Sequence, residues 1–343
     1  MAEPKDSRAR RSTLSDVAAV AKVDTSVVSR LVNNDPRLKI RDTTRKRVLD
    51  AIALLDYRPN AAARSLRTAR TRTLGLLIPD FANPVYAEII KGAERAAAAT
   101  GCALVTGSVK GNGGDADTYL DLLGHGRVDG LLLATPITEA KEAELSRLGM
   151  PWLLLNHSGQ SRRHVVLDDE RAAGIAVDHL IALGHRRIGH ISGPRGADTA
   201  RQRRAGYTAA LRRAKIARQT GLVTMADYTA AGGAAAMERL LKLPEPPTAV
   251  FVANIASAIG SLHTAHRLGV RIPDDVSVVA VHDLALASHL VPPLTTVRMP
   301  MAELGARAVH LMLEGDPHGP VQEVVGEPTE LVLRESTAPP TTR

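Results

Sequence analysis

The 343-residue sequence has one cysteine, Cys102, which excludes an internal disulfide and any cysteine-built metal site. No apolar run approaches the ~18–20 residues of a membrane-spanning helix. Met1-Ala2-Glu3-Pro4-Lys5 leads into Arg8-Ala9-Arg10-Arg11 with no apolar stretch behind it, which predicts no secretory signal and a cytoplasmic protein. Aromatic residues are only 2% of the chain, and Tyr57 is the sole one in the first 72 residues. A base-stacking surface for single-stranded nucleic acid is therefore not expected. Catalytic signatures are missing as well. Gly111-Asn112-Gly113-Gly114 is not followed by the Gly-Lys-Ser/Thr of a phosphate loop, and no Gly-x-Ser-x-Gly elbow occurs. His125, His179, His185 and His190 have no cysteine or clustered carboxylate at metal-ligand spacing, so neither metal nor cofactor is expected. What is present, 44% apolar and 23% charged residues, suits a folded chain of two or three domains.

The charge is unevenly placed. Residues 1–72 carry 17 Lys/Arg against 8 Asp/Glu, a net +9, whereas the remainder is close to neutral at −1. A polyanion-binding module joined to a neutral body has this distribution. A solvated basic tail has it too, and composition alone does not separate the two.

Local patterns favour the module. Thr13-Leu14-Ser15-Asp16 has the form of a capping box, opening a helix that stops near Lys22-Val23. Asp24 can cap a second helix, Thr25 to Asn33, with Val28, Leu31 and Val32 on its apolar side and Thr25, Ser26, Ser29 and Arg30 on the other. A third helix is predicted over 42–55, with Val48, Ile52 and Leu55 inward and Arg45, Lys46 and Arg47 in its first turns. Two short helices joined by a tight turn describe a helix-turn-helix, an all-α DNA-binding head. Thr25 and Ser26 are short enough to let a helix approach base edges, and Arg30 can donate two hydrogen bonds to guanine in the major groove. A three-helix packing unit with a polar face is the rival reading, and the local positive charge weighs against it.

Three segments together carry a resemblance. Thr13-Leu14-Ser15-Asp16-Val17-Ala18, Val28-Ser29-Arg30-Leu31-Val32-Asn33 and Tyr57-Arg58-Pro59-Asn60-Ala61-Ala62-Ala63-Arg64-Ser65-Leu66 resemble the lactose/galactose-repressor family of transcription regulators, in that family's order and near its spacing. Lys22 stands where the family turn usually carries glycine, and the 35–41 loop is about two residues longer than its commonest form. The resemblance implies that Asn60 to Leu66 forms a hinge helix that pairs with its dimer mate in the minor groove. Leu66 would then be the wedge between central base pairs and Ala63 the small residue that permits close approach. A helix this short is marginal alone. The following Arg67-Thr68-Ala69-Arg70-Thr71-Arg72-Thr73 is a basic linker, and a plain linker over the whole stretch is the alternative.

From Thr73 onward, apolar runs (74–78, 131–133, 152–155, 188–191, 249–252 and 276–281) alternate with helical stretches. The pairs Leu123-Gly124, Leu148-Gly149, Leu183-Gly184 and Leu268-Gly269 each precede a run, and glycine there permits the left-handed residue that ends a helix. This rhythm predicts α/β architecture, with parallel sheets flanked by helices on both faces in two lobes. The resemblance adds a periplasmic-binding-protein-like body with an effector between its lobes. The expected organisation is a flexible basic arm (1–12), the helix-turn-helix domain (13–59), hinge and linker (60–72), the two-lobe effector-binding and dimerisation body (73–335) and a disordered tail (336–343).

Ligands of open α/β lobes gather at the carboxyl ends of strands. That selects the segments around Tyr86, Asn156-His157, Thr199–Arg203, Asp227-Tyr228, Asn254 and His282-Asp283. The resemblance implies that Arg203, Asn254 and Asp283 contact the effector, with Tyr86 and Asn156 as further contacts and His157 and Tyr228 as weaker candidates. Asn83 and Asn254 equally suit helix caps, and Asp283 a loop tie. Ile255 and His282 depart from the family pattern, which leaves open an unusual effector or a body without small-molecule control. The expected function is a non-enzymatic regulator, a repressor in the first instance. It binds a palindromic double-stranded operator as a homodimer under control of a small polar effector, a sugar first of all. The rival is an α/β enzyme or carrier with a nonspecific DNA-anchoring head.

Overall fold

The computed structural model describes residues 12–33, 35–58, 70–109, 121, 123, 126–135, 137–158, 162–219, 221–316 and 318–341, and the chain divides into two compact units between Thr71 and Arg72. Ala63 and Leu66, with the rest of the expected hinge helix, lie outside the described residues, as does the basic arm before Ser12.

The first unit is helical: α1 Leu14–Ala21, α2 Thr25–Val32 and α3 Asp42–Leu54. Its start is set locally. Thr13 Oγ1 accepts from the Asp16 amide at 3.3 Å while the Thr13 amide donates to Asp16 Oδ2 at 2.8 Å, closing the capping box. Lys22 turns the chain at φ 50°, ψ 52°, a left-handed conformation that costs a non-glycine residue ~1–2 kcal/mol. Asp24 then caps α2, accepting from the Ser26 amide at 2.7 Å. Val17, Ala18, Ala21, Val28, Leu31, Val48, Ala51 and Tyr57 make one small core. The long loop is folded by Asp35, which accepts from the Arg37 amide and side chain, and it returns Leu38 and Ile40 to that core.

The second unit holds two six-stranded sheets. One has the order β11-β5-β4-β3-β1-β2, built from β1 Thr73–Ile78, β2 Ala103–Ser108, β3 Gly130–Leu133, β4 Trp152–Leu155, β5 Arg163–Leu167 and β11 Val321–Val325. The other has the order β12-β10-β9-β8-β6-β7, from β6 Ile188–Ser192, β7 Val223–Met225, β8 Ala249–Val252, β9 Ser277–Val281, β10 Thr295–Arg298 and β12 Glu330–Val332. Every pairing is parallel except β10 with β12. The late strands β11 and β12 go to different sheets, so the chain returns to the first lobe after building most of the second.

Both faces of the first sheet are covered, as a parallel sheet requires. Leu74, Leu76, Ile78 and Leu132 join one core cluster, while Leu77, Leu131, Leu133 and Leu154 join another. The helices α4 Val85–Ala99, α5 Glu139–Arg147, α6 Asp169–Ala182, α7 Asp198–Arg213, α8 Ala230–Leu241, α9 Ile255–Arg267 and α10 Met301–Glu314 flank the strands. Three helix pairs, α4 with α10, α6 with α7 and α8 with α9, touch through glycine. A Cβ on Gly92 would lie 1.8 Å from the Ala302 carbonyl oxygen, on Gly206 2.1 Å from that of Glu170 and on Gly260 1.8 Å from that of Ala230. Gly149, Gly184 and Gly269 end their helices at φ 65°, 101° and 71°. Gly124 lies outside the described residues.

The expected disordered tail is corrected for residues 336–341. Ser336 Oγ donates to the Val278 carbonyl at 2.6 Å and accepts the Thr295 amide at 2.8 Å, while the Ala338 carbonyl meets His185 Nε2 at 2.9 Å. Thr337 Oγ1 lies 3.0 Å from His179 Nε2. The tail has little apolar surface to bury, but it satisfies backbone groups of β9 and β10 that would otherwise be buried unpaired.

Candidate functional site

In the helical unit, the residues expected to meet DNA sit on α2. Val28 and Leu31 face the core, which leaves Thr25, Ser26 and Arg30 exposed and Ser29 half-buried. The Ser26 hydrogen bonds hold the Asp24 carboxyl below its ordinary value, so the cap stays charged at the helix start. Arg45, Lys46 and Arg47 are exposed on α3. Tyr57, the one aromatic, is inside the core and offers no stacking surface.

In the α/β unit, the loops at the carboxyl ends of β1, β3, β4, β6, β7 and β8 surround a cleft of about 660 Å³. Both lobes contribute: Asp80, Tyr86, Asn156 and His157 from the first, Asp198, Thr199, Asp227 and Tyr228 from the second. The lining carries three carboxylates and no lysine or arginine. Asn156 is held at φ 57° by its amide bond to the Val165 carbonyl at 2.9 Å, and its buried Oδ1 has no hydrogen-bond partner. Burial pushes the Tyr86 and Tyr228 hydroxyls above their ordinary values and His157 below its own, so all three are neutral near pH 7. Among the described residues, a clasp at Asp198 crosses the cleft: the Ser158 amide of the first lobe donates to Asp198 Oδ2 of the second at 2.8 Å, and His157 Nδ1 lies 3.7 Å from the same oxygen.

The three residues expected as principal effector contacts, Arg203, Asn254 and Asp283, are not in the lining of this cleft, and each is bonded within the protein. Arg203 is 2% exposed beneath Tyr228, its guanidinium carbon 5.9 Å from the ring centre. Its Nε donates to Asp169 Oδ1 at 2.7 Å, and its terminal nitrogens bond the Ala253 carbonyl and, at 2.9 Å, His282 Nε2. A buried guanidinium needs such partners, and they hold it in place beneath Tyr228. Burial pushes the Asp169 carboxyl up against the pull of Arg203 and holds His282 well below its ordinary value. Neutral His282 accepts from Arg203 at Nε2, so the proton sits on Nδ1, which has no partner. Asn254 caps α9, accepting the Ser257 amide at 3.1 Å and donating to the Tyr228 carbonyl at 3.1 Å. Asp283 is a loop tie, bonded to Thr296 at 2.8 Å, Arg298 at 2.9 Å and Arg334 at 2.7 Å. Burial would raise its carboxyl, but these bonds outweigh it and hold the group low.

Sequence reasoning missed Asp169 and Asp198. Asp198 opens α7 one residue before the segment selected, so extending that segment to the helix start would have found it. Asp169 follows Asp168 at an ordinary helix start, and nothing local marks it as the counter-ion of Arg203. The two departures from the family pattern also acquire roles: Ile255 is fully buried as the first residue of α9, and His282 takes the hydrogen bond of Arg203. Gly193 is required by the site, because a Cβ there would lie 2.2 Å from the Tyr228 ring.

A three-helix head presenting a polar recognition helix, followed by a two-lobe parallel α/β body with a cleft, defines a ligand-responsive DNA-binding regulator as a class. Comparison with known proteins makes this specific. Residues 13–60 match the bacterial regulatory proteins of the lacI family, and residues 177–337 a periplasmic binding protein-like domain. The chain is 34% identical over 332 residues to the HTH-type transcriptional repressor CytR of Escherichia coli K12, covering 95% of this chain and 96% of that protein. Among solved structures, the transcriptional regulator CelR–cellobiose complex is 30% identical with a TM-score of 0.70, covering 95% of this chain and all of that one. The Lac repressor dimer bound to operator and an anti-inducer is 28% identical with a TM-score of 0.84, covering 96% of this chain and all of that one. The protein belongs to the lacI family of transcriptional regulators. It is a DNA-binding regulator, which sets aside the rival of an enzyme or carrier with a basic anchor. No helix among the described residues is long and apolar enough to cross a membrane.

Proposed function

We propose that this protein represses transcription in the cytoplasm as a homodimer on a palindromic operator. Thr25, Ser26, Ser29 and Arg30 would read the major groove, and Ala63 and Leu66 the minor groove. The reading rests on the exposed polar side of α2 in a segment carrying the whole basic excess. Arg30→Ala is expected to relax base preference at one position per half-site, at a cost of ~1–3 kcal/mol for a lost bidentate contact. Binding selections from randomised half-sites measure this. Equal weakening on operator and random DNA would make Arg30 a phosphate contact instead.

The effector is proposed to be a small neutral polar molecule, a sugar first of all, as in the cellobiose complex of the related regulator. Carboxylates without cations favour hydroxyl donors over anions, and the Asn156 amide, whose Oδ1 has no partner within the protein, belongs to the same lining. Tyr86 and Asn156 are the direct contacts, with His157 and Tyr228 beside them. Arg203 supports the floor through Tyr228, while Asn254 and Asp283 hold the surrounding loops. A thermal-shift screen of neutral sugars tests this, since a ligand of the native state raises stability by RT ln(1 + [L]/Kd). A screen in which only anionic compounds shift the melting temperature would overturn the assignment.

A further inference from the structure

A second cavity lies on the other side of the loop that borders the cleft. It measures about 490 Å³ and sits at the carboxyl ends of β6 and β7 against the first turns of α7. Pro194 lines both cavities. Their chemistry is opposite. The cleft lining has three carboxylates and no cationic lysine or arginine, whereas the second cavity is lined by Arg195, Arg201 and Arg204 with no carboxylate. Arg201 is paired with Asp198, but no carboxylate among the described residues lies within ion-pair distance of Arg195 or Arg204. The wall also holds Thr224, whose buried Oγ1 has no hydrogen-bond partner. At the rim, Arg239 donates to the Met225 carbonyl at 2.9 Å, which places a fourth guanidinium nearby.

We propose that this cavity binds the phosphoryl group of a small phosphorylated metabolite or of free phosphate. A phosphoryl dianion offers several acceptor oxygens to forked guanidinium donors and a lone pair to a hydroxyl. It therefore pairs with two guanidiniums, Arg195 and Arg204, that no carboxylate among the described residues neutralises, beside the Thr224 hydroxyl of the wall. The open side of the cavity and the half-exposed Met225 beside it leave room for an organic substituent on the phosphate. The proposal is independent of the effector reading, because Arg195, Arg204 and Thr224 do not line the cleft.

The test is calorimetric titration of the full chain, at low salt, with inorganic phosphate and separately with glycerol phosphate. Wild type is expected to bind at least one of them saturably, and the tighter probe identifies the source of the phosphoryl group. The Arg195→Ala/Arg204→Ala double variant should bind at least tenfold more weakly, and Thr224→Val several-fold more weakly. The arginines are exposed, so their removal should leave the melting temperature of the unliganded protein unchanged, and Arg204→Ala alone serves as a second, milder variant. No saturable binding of either probe to wild type would overturn the proposal. So would binding that is undiminished in the double variant.

Discussion

The head and the body of this protein handle charge in opposite ways. All twelve histidines lie beyond residue 124, and none is in the DNA-binding head. The head keeps Arg30, Arg45, Lys46 and Arg47 exposed over a core of apolar residues and Tyr57. The body buries Arg203 against Asp169 and keeps His190 and His282 inside. A surface that meets phosphates needs solvated charge, which steers encounter without a desolvation cost. A ligand cleft needs fixed groups, and fixing them by burial makes their protonation part of the folding equilibrium.

The sharpest way to break this comparison is to unpair the buried charge. Arg203→Ala leaves the Asp169 carboxyl buried without its cation and should cost about 3–5 kcal/mol. Denaturant unfolding of the full chain reads this as a lower midpoint for the body transition, with the head transition in place. An unchanged body midpoint would show that the pair contributes nothing to the fold. The variant's response to effector must therefore be judged beside its stability, because lost folding and a lost response look alike.

The next largest effect is on pH dependence. His190 is fully buried, stacked on Phe251 at 4.7 Å and Tyr207 at 5.0 Å, and its Nδ1 meets the Phe251 carbonyl at 3.1 Å. Burial pushes it from 6.5 down to about 4. Between those values the unfolded chain binds the extra proton, so the stability from neutral His190 is complete above pH 6.5 and lost as pH falls toward 4. At ~1.4 kcal/mol per pH unit this amounts to roughly 3 kcal/mol. His190→Phe keeps the stack and removes the titration, so its body should lose roughly that much less stability between pH 7 and pH 4. Parallel wild-type and variant profiles would remove His190 from the acid response. The head, without histidine, should not share that response.

The smallest effect sharpens the comparison from the head's side. Lys22→Gly should stabilise the head by about 1 kcal/mol by relieving the left-handed turn. The gain should be independent of pH from 5 to 8, since no buried titratable group is involved. Calorimetric scans of the head transition measure it, and a destabilised head would mean that chain entropy outweighs the turn strain.

Much of the fold was legible because it is local. Thr13 and Asp16, or Asp24 and Ser26, are two or three residues apart, and hydrogen bonds at that spacing form wherever the helix forms. Strands buried on both faces show as apolar runs, and six of them were readable. Edge strands such as β2 and β11, with alternating exposure, were not. The cleft was legible as a place, because strand ends mark it, but not as a set of contacts. Sequence by itself determined the head, the strand-helix rhythm and the carboxyl-end loops, through hydrogen bonds and apolar periodicity that act over a few residues. Only the tertiary structure decided that Asp169 neutralises Arg203, that Ser336 closes β9 and β10, and that Tyr228 covers the arginine expected to face the ligand. Each of these depends on which distant groups exclude water from one another, and burial is a property of the packed whole.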